Sequence, residues 1–304
     1  MNALLDLLVS PLGGGLAALT AAFLWALASI WFTALGRRLA IVEVNFLKGA
    51  LALALLTATL LLGGGSLQNI PMEALVLLLV SGVIGITLGD SAYLQALQHL
   101  GPRRTLLLAT LAPPMVGLIA WAFLGEALIW TAWLGIALTV AGVTWVILER
   151  SPRDAPSGSL KHGLWFGFLA ALAQSTAIVL SRAVLTRTSV DPLQSTILRL
   201  AAAVVVLVIW LLLSRRPLIS RAVFAAHPRL WALLAAATIV GTYLALWLQQ
   251  VSILLAPAGI VQTLLSTSPI FILPIAALQG EQISPRAVLG VLLALGGVGL
   301  LFGG

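Results

Sequence analysis

The chain has 304 residues, of which 61% are hydrophobic and only 8% are charged, and its net charge is +7 at pH 7. About 25% of the residues in an ordinary soluble domain are charged, so this composition excludes a soluble protein and indicates one embedded in a lipid bilayer. The sequence contains no cysteine, which excludes disulfides, thiolate metal sites and a cysteine nucleophile.

Ten apolar segments of the chain are long enough to cross the bilayer, which takes about 20 residues of helix. Turn signals separate these segments, and little chain remains for a soluble domain. In chain order, the predicted spans 1 to 10 cover residues 13–35, 42–63, 73–98, 101–123, 128–148, 160–185, 191–213, 229–251, 257–279 and 284–302.

A polar segment, residues 149–161, separates five predicted spans from the next five. Residues 1–150 therefore form a first predicted repeat and residues 151–304 a second. Because each repeat crosses the membrane an odd number of times, the two must enter it from opposite sides. The predicted fold is an all-α integral membrane protein with ten transmembrane helices, arranged as two inverted five-helix repeats.

The two halves also share a sequence motif. Residues 114–126 begin with proline and end with Gly-Glu, and residues 269–281 do the same 155 residues later. The same distance separates Gly135 from Gly290. A constant offset over several positions indicates an internal repeat, and a duplicated membrane unit is typical of a carrier.

Charges in the loops predict the orientation of the chain. Twelve basic residues lie in or beside the loops that follow odd-numbered spans, whereas the opposite face has only Arg187 and, just inside a span, Arg182. The positive-inside rule then places both termini on the non-cytoplasmic side of the inner (plasma) membrane. This distribution reports orientation, so we expect no nucleic-acid partner. The twelve residues are Arg37, Arg38, Arg103, Arg104, Arg150, Arg153, Lys161, Arg215, Arg216, Arg221, Arg229 and Arg286.

Together these features resemble the EamA family of drug/metabolite transporters. The resemblance rests on the Trp25-Ala26 pair in span 1, the basic residues Lys48 and Arg199 in the second span of each half, and the series of Pro, Gly-Glu, Gly and Gly-Val that closes each half. It covers nearly the whole chain. It implies a basket of ten helices whose central cavity is lined by spans 1, 3, 4, 6, 8 and 9, and a carrier that moves small metabolites, usually outward.

Four ionisable residues of the predicted spans lie far enough from the loops to count as inside the bilayer: Lys48, Asp90, Arg199 and, closer to a span end, Glu43. The first three are candidates for substrate binding or coupling. Asp90 in span 3 is the only carboxylate well inside a span, where a charge costs about 3 kcal/mol or more unless it is paired or hydrated. It can carry a proton in antiport, hold a substrate ammonium, or pair structurally with Lys48. Lys48 and Arg199 can bind an anion or extend to the membrane surface.

Polar and aromatic residues of the implied cavity spans form a second group of candidates. Amides and hydroxyls can bind both ends of a zwitterion, while aromatic rings suit an apolar group or a cation. Alternatively, the hydroxyls can bond their own backbone and the amides can join neighbouring helices. These predicted cavity residues are Trp25, Ser29, Tyr93, Gln95, Thr110, Gln174, Ser175, Tyr243, Trp247, Gln250, Gln262 and Ser266.

Prolines lie near the middle of predicted spans 4 and 9, at Pro113, Pro114, Pro269 and Pro274. A proline inside a helix removes a hydrogen bond and bends the helix. We therefore predict a kink in each span. These kinks can act as gates, or they can serve static packing.

The sequence predicts a secondary transporter that exports amino acids or similar small metabolites by alternating access, with antiport as its expected mode. The alternative is a translocator of lipids or lipophilic drugs on the same fold. The chain lacks the His-Glu-x-x-His and Gly-x-Ser-x-Gly motifs of enzymes and the Gly-Lys-Ser/Thr of a phosphate-binding loop. We expect no enzyme activity, cofactor or metal, and a monomer whose partners are a small-molecule substrate and the lipid bilayer.

Overall fold

A computed structural model describes residues 11–68, 70–124, 130–148, 159–256, 258–278 and 284–302. Within these ranges the chain is helical apart from short connections. Most of the predicted linker 149–161, and the turns that contain Glu126 and Glu281, lie outside the described residues. The helices are α1 (Pro11–Gly36), α2 (Ile41–Leu62), α3 (Met72–Gly82), α4 (Ser91–Ala109), α5 (Ala112–Leu124), α6 (Trp130–Leu148), α7 (Leu160–Arg187), α8 (Pro192–Leu213), α9 (Arg221–Ala226), α10 (Arg229–Thr238), α11 (Ala245–Leu255), α12 (Ala258–Leu265), α13 (Ser268–Leu278) and α14 (Pro285–Phe302).

Two π-helical segments interrupt the α-helices. The first π segment, Val83–Asp90, joins α3 to α4, and the second, Ile239–Leu244, joins α10 to α11. Their positions correspond when the second half is shifted by 155 residues. A π turn contains an extra residue and is found mostly at functional sites, so the repeat extends to an uncommon feature of the backbone.

Six helical stretches are long and apolar enough to span a membrane, and three shorter apolar stretches accompany them. The ten predicted spans are thus observed only in part, since α4 runs from predicted span 3 into predicted span 4, and predicted spans 4 and 9 are each divided. The six stretches are Leu12–Gly36, Ile41–Leu62, Met72–Ala109, Leu160–Arg187, Pro192–Leu213 and Arg229–Leu255, and the shorter ones are Trp133–Gly142, Val261–Ile275 and Pro285–Leu300.

The helical path is broken at the predicted starts of spans 4 and 9. Gly101, just before Pro102, has φ 77° and ψ 169°, a conformation that favours glycine. Ala256, its counterpart 155 residues later, is extended at φ −132° and ψ 154°. A following proline disfavours the helical conformation of the residue before it, and Pro257 itself lies outside the described residues.

The predicted kinks in spans 4 and 9 are breaks at which one helix ends and another begins. α4 ends at Ala109 and α5 begins at Ala112, so Pro113 and Pro114 lie in the first turn of α5. The prediction that they lie in the middle of a helix is therefore wrong. A proline is tolerated in the first turn because its missing N–H would have no partner there.

The same correction applies in part to the second half. α12 ends at Leu265 and α13 begins at Ser268, so Pro269 is the second residue of a helix. Only Pro274 lies inside a helix, as predicted. With the offset of 155 residues the two breaks correspond to within one residue, so predicted spans 4 and 9 are discontinuous at nearly the same point of the repeat.

Glycines bring α6 and α14 into direct backbone contact. A Cβ atom at Gly142 would lie 2.5–2.6 Å from backbone atoms of residues 290 and 294, and one at Gly297 would lie 2.5–2.6 Å from backbone atoms of residues 135 and 139. Each glycine follows the midpoint of its own helix and contacts an earlier part of the other, so α6 and α14 are antiparallel. The contact is reciprocal, as expected about a local two-fold axis.

Helix α1 lies at the centre of the molecule. It packs against α4, α10, α11, α12, α13 and the second π segment. On another side, α7 packs against α3, α4, α5 and the first π segment, while α2 packs against α8. The second π segment therefore lies against α1, and the first π segment lies against α7.

Candidate functional site

A cavity of about 120 Å³ lies among these helices. Its walls come from predicted spans 1, 3, 4, 6, 8 and 9, the spans that the resemblance implied, and Lys48 adds a contribution from span 2. Both helix breaks line it, through Ala109 and Ala112 in the first half and Leu265 and Ser268 in the second. Seven predicted site residues also line it: Trp25, Lys48, Asp90, Tyr93, Gln174, Gln262 and Ser266.

A buried ion pair forms part of the cavity wall. The Nζ atom of Lys48 lies 2.5 Å from Oδ2 of Asp90, the last residue of the first π segment. The Lys48 side chain is 5% exposed and that of Asp90 is 24% exposed. The structural pairing that the sequence left open is thus present, and the carboxylate still lines the cavity, where a ligand can reach it.

In each π segment, a side-chain N–H group donates a hydrogen bond to a backbone carbonyl, and the two carbonyls occupy equivalent positions in the repeats. The amide of Asn45 donates to the carbonyl oxygen of Ile86 at 2.9 Å, and the indole Nε1 of Trp25 donates to that of Gly241 at 3.0 Å. Ile86 and Gly241 are 155 residues apart. A buried carbonyl without a partner is costly, so each half stabilises its π segment with a different donor.

Three polar residues of the second half line the cavity with groups that have no hydrogen-bond partner within the described parts of the chain. They are Thr242 with its Oγ1 atom, Gln249 with both atoms of its amide, and Gln262 with its Nε2 atom. Each of these side chains is at most 3% exposed. They offer hydrogen-bond donors and acceptors to a ligand.

Sequence reasoning missed Thr242 and Gln249 and selected their neighbours Tyr243 and Gln250. Within the described ranges, neither neighbour lines the cavity. The second π segment adds a residue to the helical turn at this point, which changes the face that later residues present. The sequence did contain one signal for Thr242, since the equivalent residue of the other repeat, Thr87, is also a threonine.

Several predicted residues hold helices together and do not line the cavity. The Tyr243 hydroxyl lies 2.8 Å from that of Thr59, the Tyr243 ring packs beside Trp247, and Gln250 accepts a hydrogen bond from Ser195 at 3.1 Å. Gln95 is half-buried in α4, away from the cavity lining. These contacts match the alternative in which polar groups join neighbouring membrane helices.

Three predicted hydroxyls are used by backbone carbonyls. Ser29 donates to Ala26 at 2.7 Å and Thr110 donates to Leu107 at 2.7 Å, in both cases within three residues. Ser175 lies 2.7 Å from a carbonyl oxygen of its own helix and 3.0 Å from that of residue 112. This is the local bonding expected of serine and threonine in membrane helices.

Arg199 is 1% exposed and lies beside the first π segment, outside the residues that line the cavity. Its backbone packs against Gly82, and its Nη2 atom lies 3.3 Å from the position of a Cβ atom at Gly85. Nε and Nη2 have no hydrogen-bond partner among the described residues.

No group of three or more His, Asp or Glu residues suited to a metal occurs in the described ranges. Comparison with known proteins shows what the chain is similar to. A family model described as "EamA-like transporter family" matches residues 12–148 and again residues 161–303. No curated protein matches the sequence.

A solved structure entitled "Crystal structure of protein" shares 19% sequence identity with the chain and has a TM-score of 0.71. The match covers 95% of this chain and 96% of that chain, and at this identity it shows the fold alone. The double match of the family model confirms the predicted resemblance. The members of this family are transporters and not enzymes. The apolar helices fit a multi-pass membrane protein. The chain belongs to the EamA-like transporter family.

Proposed function

We propose that this protein is a secondary transporter that exports amino acids or similar small metabolites through its central cavity. The observation that carries the proposal is the cavity itself, which residues of both halves line and which holds one buried ion pair. A transporter needs such a site at the interface of its repeats, where it can be exposed to each side in turn.

Inverted repeats provide the symmetry for this alternation. The antiparallel contact of α6 with α14 supports such an arrangement, since a two-fold axis perpendicular to two helices relates antiparallel partners. The corresponding breaks in predicted spans 4 and 9 support gating by discontinuous helices, a common device in transporters. Opening one break while the other stays closed would expose the cavity to one side of the membrane.

The lining favours a small ligand with no net charge. Lys48 and Asp90 neutralise one another, and Trp25, Phe32 and Tyr93 supply aromatic surface beside them. A zwitterionic amino acid with an apolar side chain matches this combination of polar and aromatic groups. Protonation of Asp90 would release Lys48 and alter the site, which provides a route to proton antiport.

Counterflow in proteoliposomes tests the proposal. Vesicles loaded with unlabelled amino acids should accumulate a labelled subset in a saturable manner. Asp90→Asn should lose the component driven by a pH gradient, whereas Glu73→Gln, which changes an exposed carboxylate, should retain it. Rates are compared per amount of folded protein, judged by gel filtration.

Two results would overturn the proposal. Folded wild-type protein that exchanges no amino acid would remove the amino-acid assignment. Movement of labelled lipid or lipophilic drug without competition by amino acids would establish the alternative translocator on the same fold.

The proposed location is the inner (plasma) membrane, with a monomer whose two termini face the non-cytoplasmic side. The loop charges carry this proposal through the positive-inside rule. A reporter that is active only outside the cytoplasm, fused to the C-terminus, should be active. Activity of a cytoplasmic reporter at the same position would show the opposite orientation.

A further inference from the structure

We infer that Thr242, Gln249 and Gln262 form an uncharged carboxylate-binding subsite in the cavity, which selects substrates with a free carboxylate group. The inference rests on the proposed function and assigns one end of the substrate to particular residues. The other end, an ammonium group, is assigned to Asp90.

Helix geometry places two of the three side chains along one face of a helix, and the third comes from another helix at the same cavity. Thr242, Leu246 and Gln249 follow one another at intervals of four and three residues, so they lie on one face of the helix that continues from the second π segment into α11. Gln262 comes from α12, and Ser266 lies one turn further along the chain. All five residues line the cavity.

The polar groups of this face are buried and unused. Gln249 is 0% exposed and neither atom of its amide has a partner among the described residues. The same is true of Oγ1 in Thr242 and of Nε2 in Gln262. Buried polar groups in folded proteins are nearly always hydrogen-bonded, so three unused groups along one cavity wall indicate a ligand that bonds to them.

A neighbouring glutamine shows what a structural role looks like in the same helix. Gln250 lies outside the cavity lining, and its Oε1 atom accepts a hydrogen bond from Ser195 of α8, while its Nε2 atom has no partner among the described residues. Gln249 makes no such contact to another helix within the described chain. The two adjacent amides therefore serve different purposes, and the one that faces the cavity is free to bind.

The chemistry of these groups matches a carboxylate. Each amide offers an NH₂ group with two donors, and Thr242 adds a hydroxyl donor. A carboxylate accepts hydrogen bonds at both oxygens, and hydrogen bonds to a charged group are the strong ones. Since no cation belongs to the subsite, the carboxylate is held without a fixed opposite charge and can leave when the cavity opens.

The distribution of charge sets the orientation of the substrate. The first half contributes the Lys48–Asp90 ion pair, in which the carboxylate is more exposed than the ammonium, at 24% against 5%, so the ammonium group of a substrate can reach the carboxylate beside Lys48. The second half contributes uncharged donors, which donate hydrogen bonds to the carboxylate. A zwitterion bound in this orientation would be bonded at both ends, whereas an amine without a carboxylate would leave the donors of Gln249 and Gln262 unused.

Binding of three related compounds to the purified full-length protein tests the assignment. L-Leucine, L-leucinamide and 3-methylbutylamine share an apolar side chain and an amino group, but only leucine has a carboxylate. We expect the wild type to bind leucine about tenfold or more tightly than the amine, with the amide between them. Calorimetric titration in detergent gives the three dissociation constants.

Removal of the donors should abolish this preference. We expect Gln249→Leu and Gln262→Leu to weaken leucine binding about tenfold or more, and to change amine binding less than about twofold. Gln98→Leu removes an amide that is bonded to the Thr33 carbonyl outside the cavity, so it should keep the preference of the wild type. Gel filtration and circular dichroism verify that each variant is folded.

A second variant keeps the test decisive if a leucine side chain disturbs packing. Gln249→Glu preserves the shape of the residue and places a negative charge at the subsite, so it should abolish leucine binding and retain or strengthen amine binding. Equal affinity of the wild type for leucine and the amine would overturn the subsite, and so would a preference that persists in Gln249→Leu, Gln262→Leu and Gln249→Glu.

The proposed function is judged separately, by counterflow. If none of the three compounds binds while other amino acids exchange, the subsite is overturned and the amino-acid transporter stands. If no amino acid exchanges, both the subsite and the amino-acid transporter are overturned.

Discussion

Lys48 and Arg199 hold equivalent positions in the second helix of each half, yet their surroundings differ. Lys48 pairs with Asp90, whereas two guanidinium nitrogens of Arg199 have no hydrogen-bond partner among the described residues. The residue that corresponds to Asp90 in the second half is Ala245, which is buried and uncharged. The halves therefore share a backbone plan, and their buried polar groups differ where the cavity lies.

This contrast separates architecture from chemistry. Features present in both halves are the π segments, the helix breaks and the glycines of α6 and α14, and all of these concern the path of the backbone. The ion pair of the first half and the unused amides of the second are not repeated. A symmetric backbone allows two equivalent states of the carrier, while asymmetric side chains define the substrate.

Breaking the ion pair should have the largest effect. We expect Lys48→Met to lower the free energy of unfolding by about 3–5 kcal/mol, because the buried carboxylate of Asp90 then has no cation. Unfolding in mixed micelles of detergent and SDS measures the change. The double variant Lys48→Met/Asp90→Leu should recover at least half of the loss, and a double variant no more stable than the single one would contradict the pairing.

The glycines of α6 and α14 test the symmetric part of the comparison. We expect Gly142→Ala and Gly297→Ala each to lower the free energy of unfolding by about 1–3 kcal/mol, since a Cβ atom would collide with the backbone of the other helix. Gly299→Ala is the matched control, because a Cβ atom there meets nothing within 4 Å. Its effect should be neutral or stabilising.

Unequal losses would count against the local two-fold axis. If Gly142→Ala were destabilising and Gly297→Ala were harmless, the reciprocal contact between the helices would be wrong. The same unfolding measurement gives both values, so the comparison needs no other assay.

The donors that bond the π segments come next in size. We expect Asn45→Leu and Trp25→Phe each to lower the free energy of unfolding by about 1–3 kcal/mol, because each leaves a buried carbonyl without its donor. Thr20→Val, which removes an exposed hydroxyl bonded to its own helix, is the control and should change little. A harmless Trp25→Phe would show that the carbonyl of Gly241 has another partner.

The helices and the repeat could be predicted because they depend on patterns that extend along the chain. Apolar runs mark the helices, and the constant offset from Pro114 to Pro269 aligns the halves. The effect of the prolines could not be predicted from the same patterns. A proline in an apolar run either bends a helix or starts a new one, and the surrounding contacts decide between them.

The side chains of the cavity were predictable only where charge marks them. Asp90 is conspicuous in an apolar segment, and its pairing with Lys48 was one of the open alternatives. Gln249 and Gln250 have the same chemistry and are adjacent in sequence, so only the rotation of the helix distinguishes them. The second π segment changes that rotation, and a single sequence contains no clear signal for one extra residue in a helical turn.

Arg199→Met should have the smallest effect and would sharpen the contrast with Lys48. We expect the free energy of unfolding to fall by less than about 1 kcal/mol or to rise, because no buried carboxylate loses a bonded partner, an unpaired buried charge is removed, and methionine retains much of the packing of the side-chain stem. Arg199→Lys, which keeps the charge, is the control. A loss as large as that of Lys48→Met would show that the guanidinium is bound to an anion, and that the second half has an ionic site of its own.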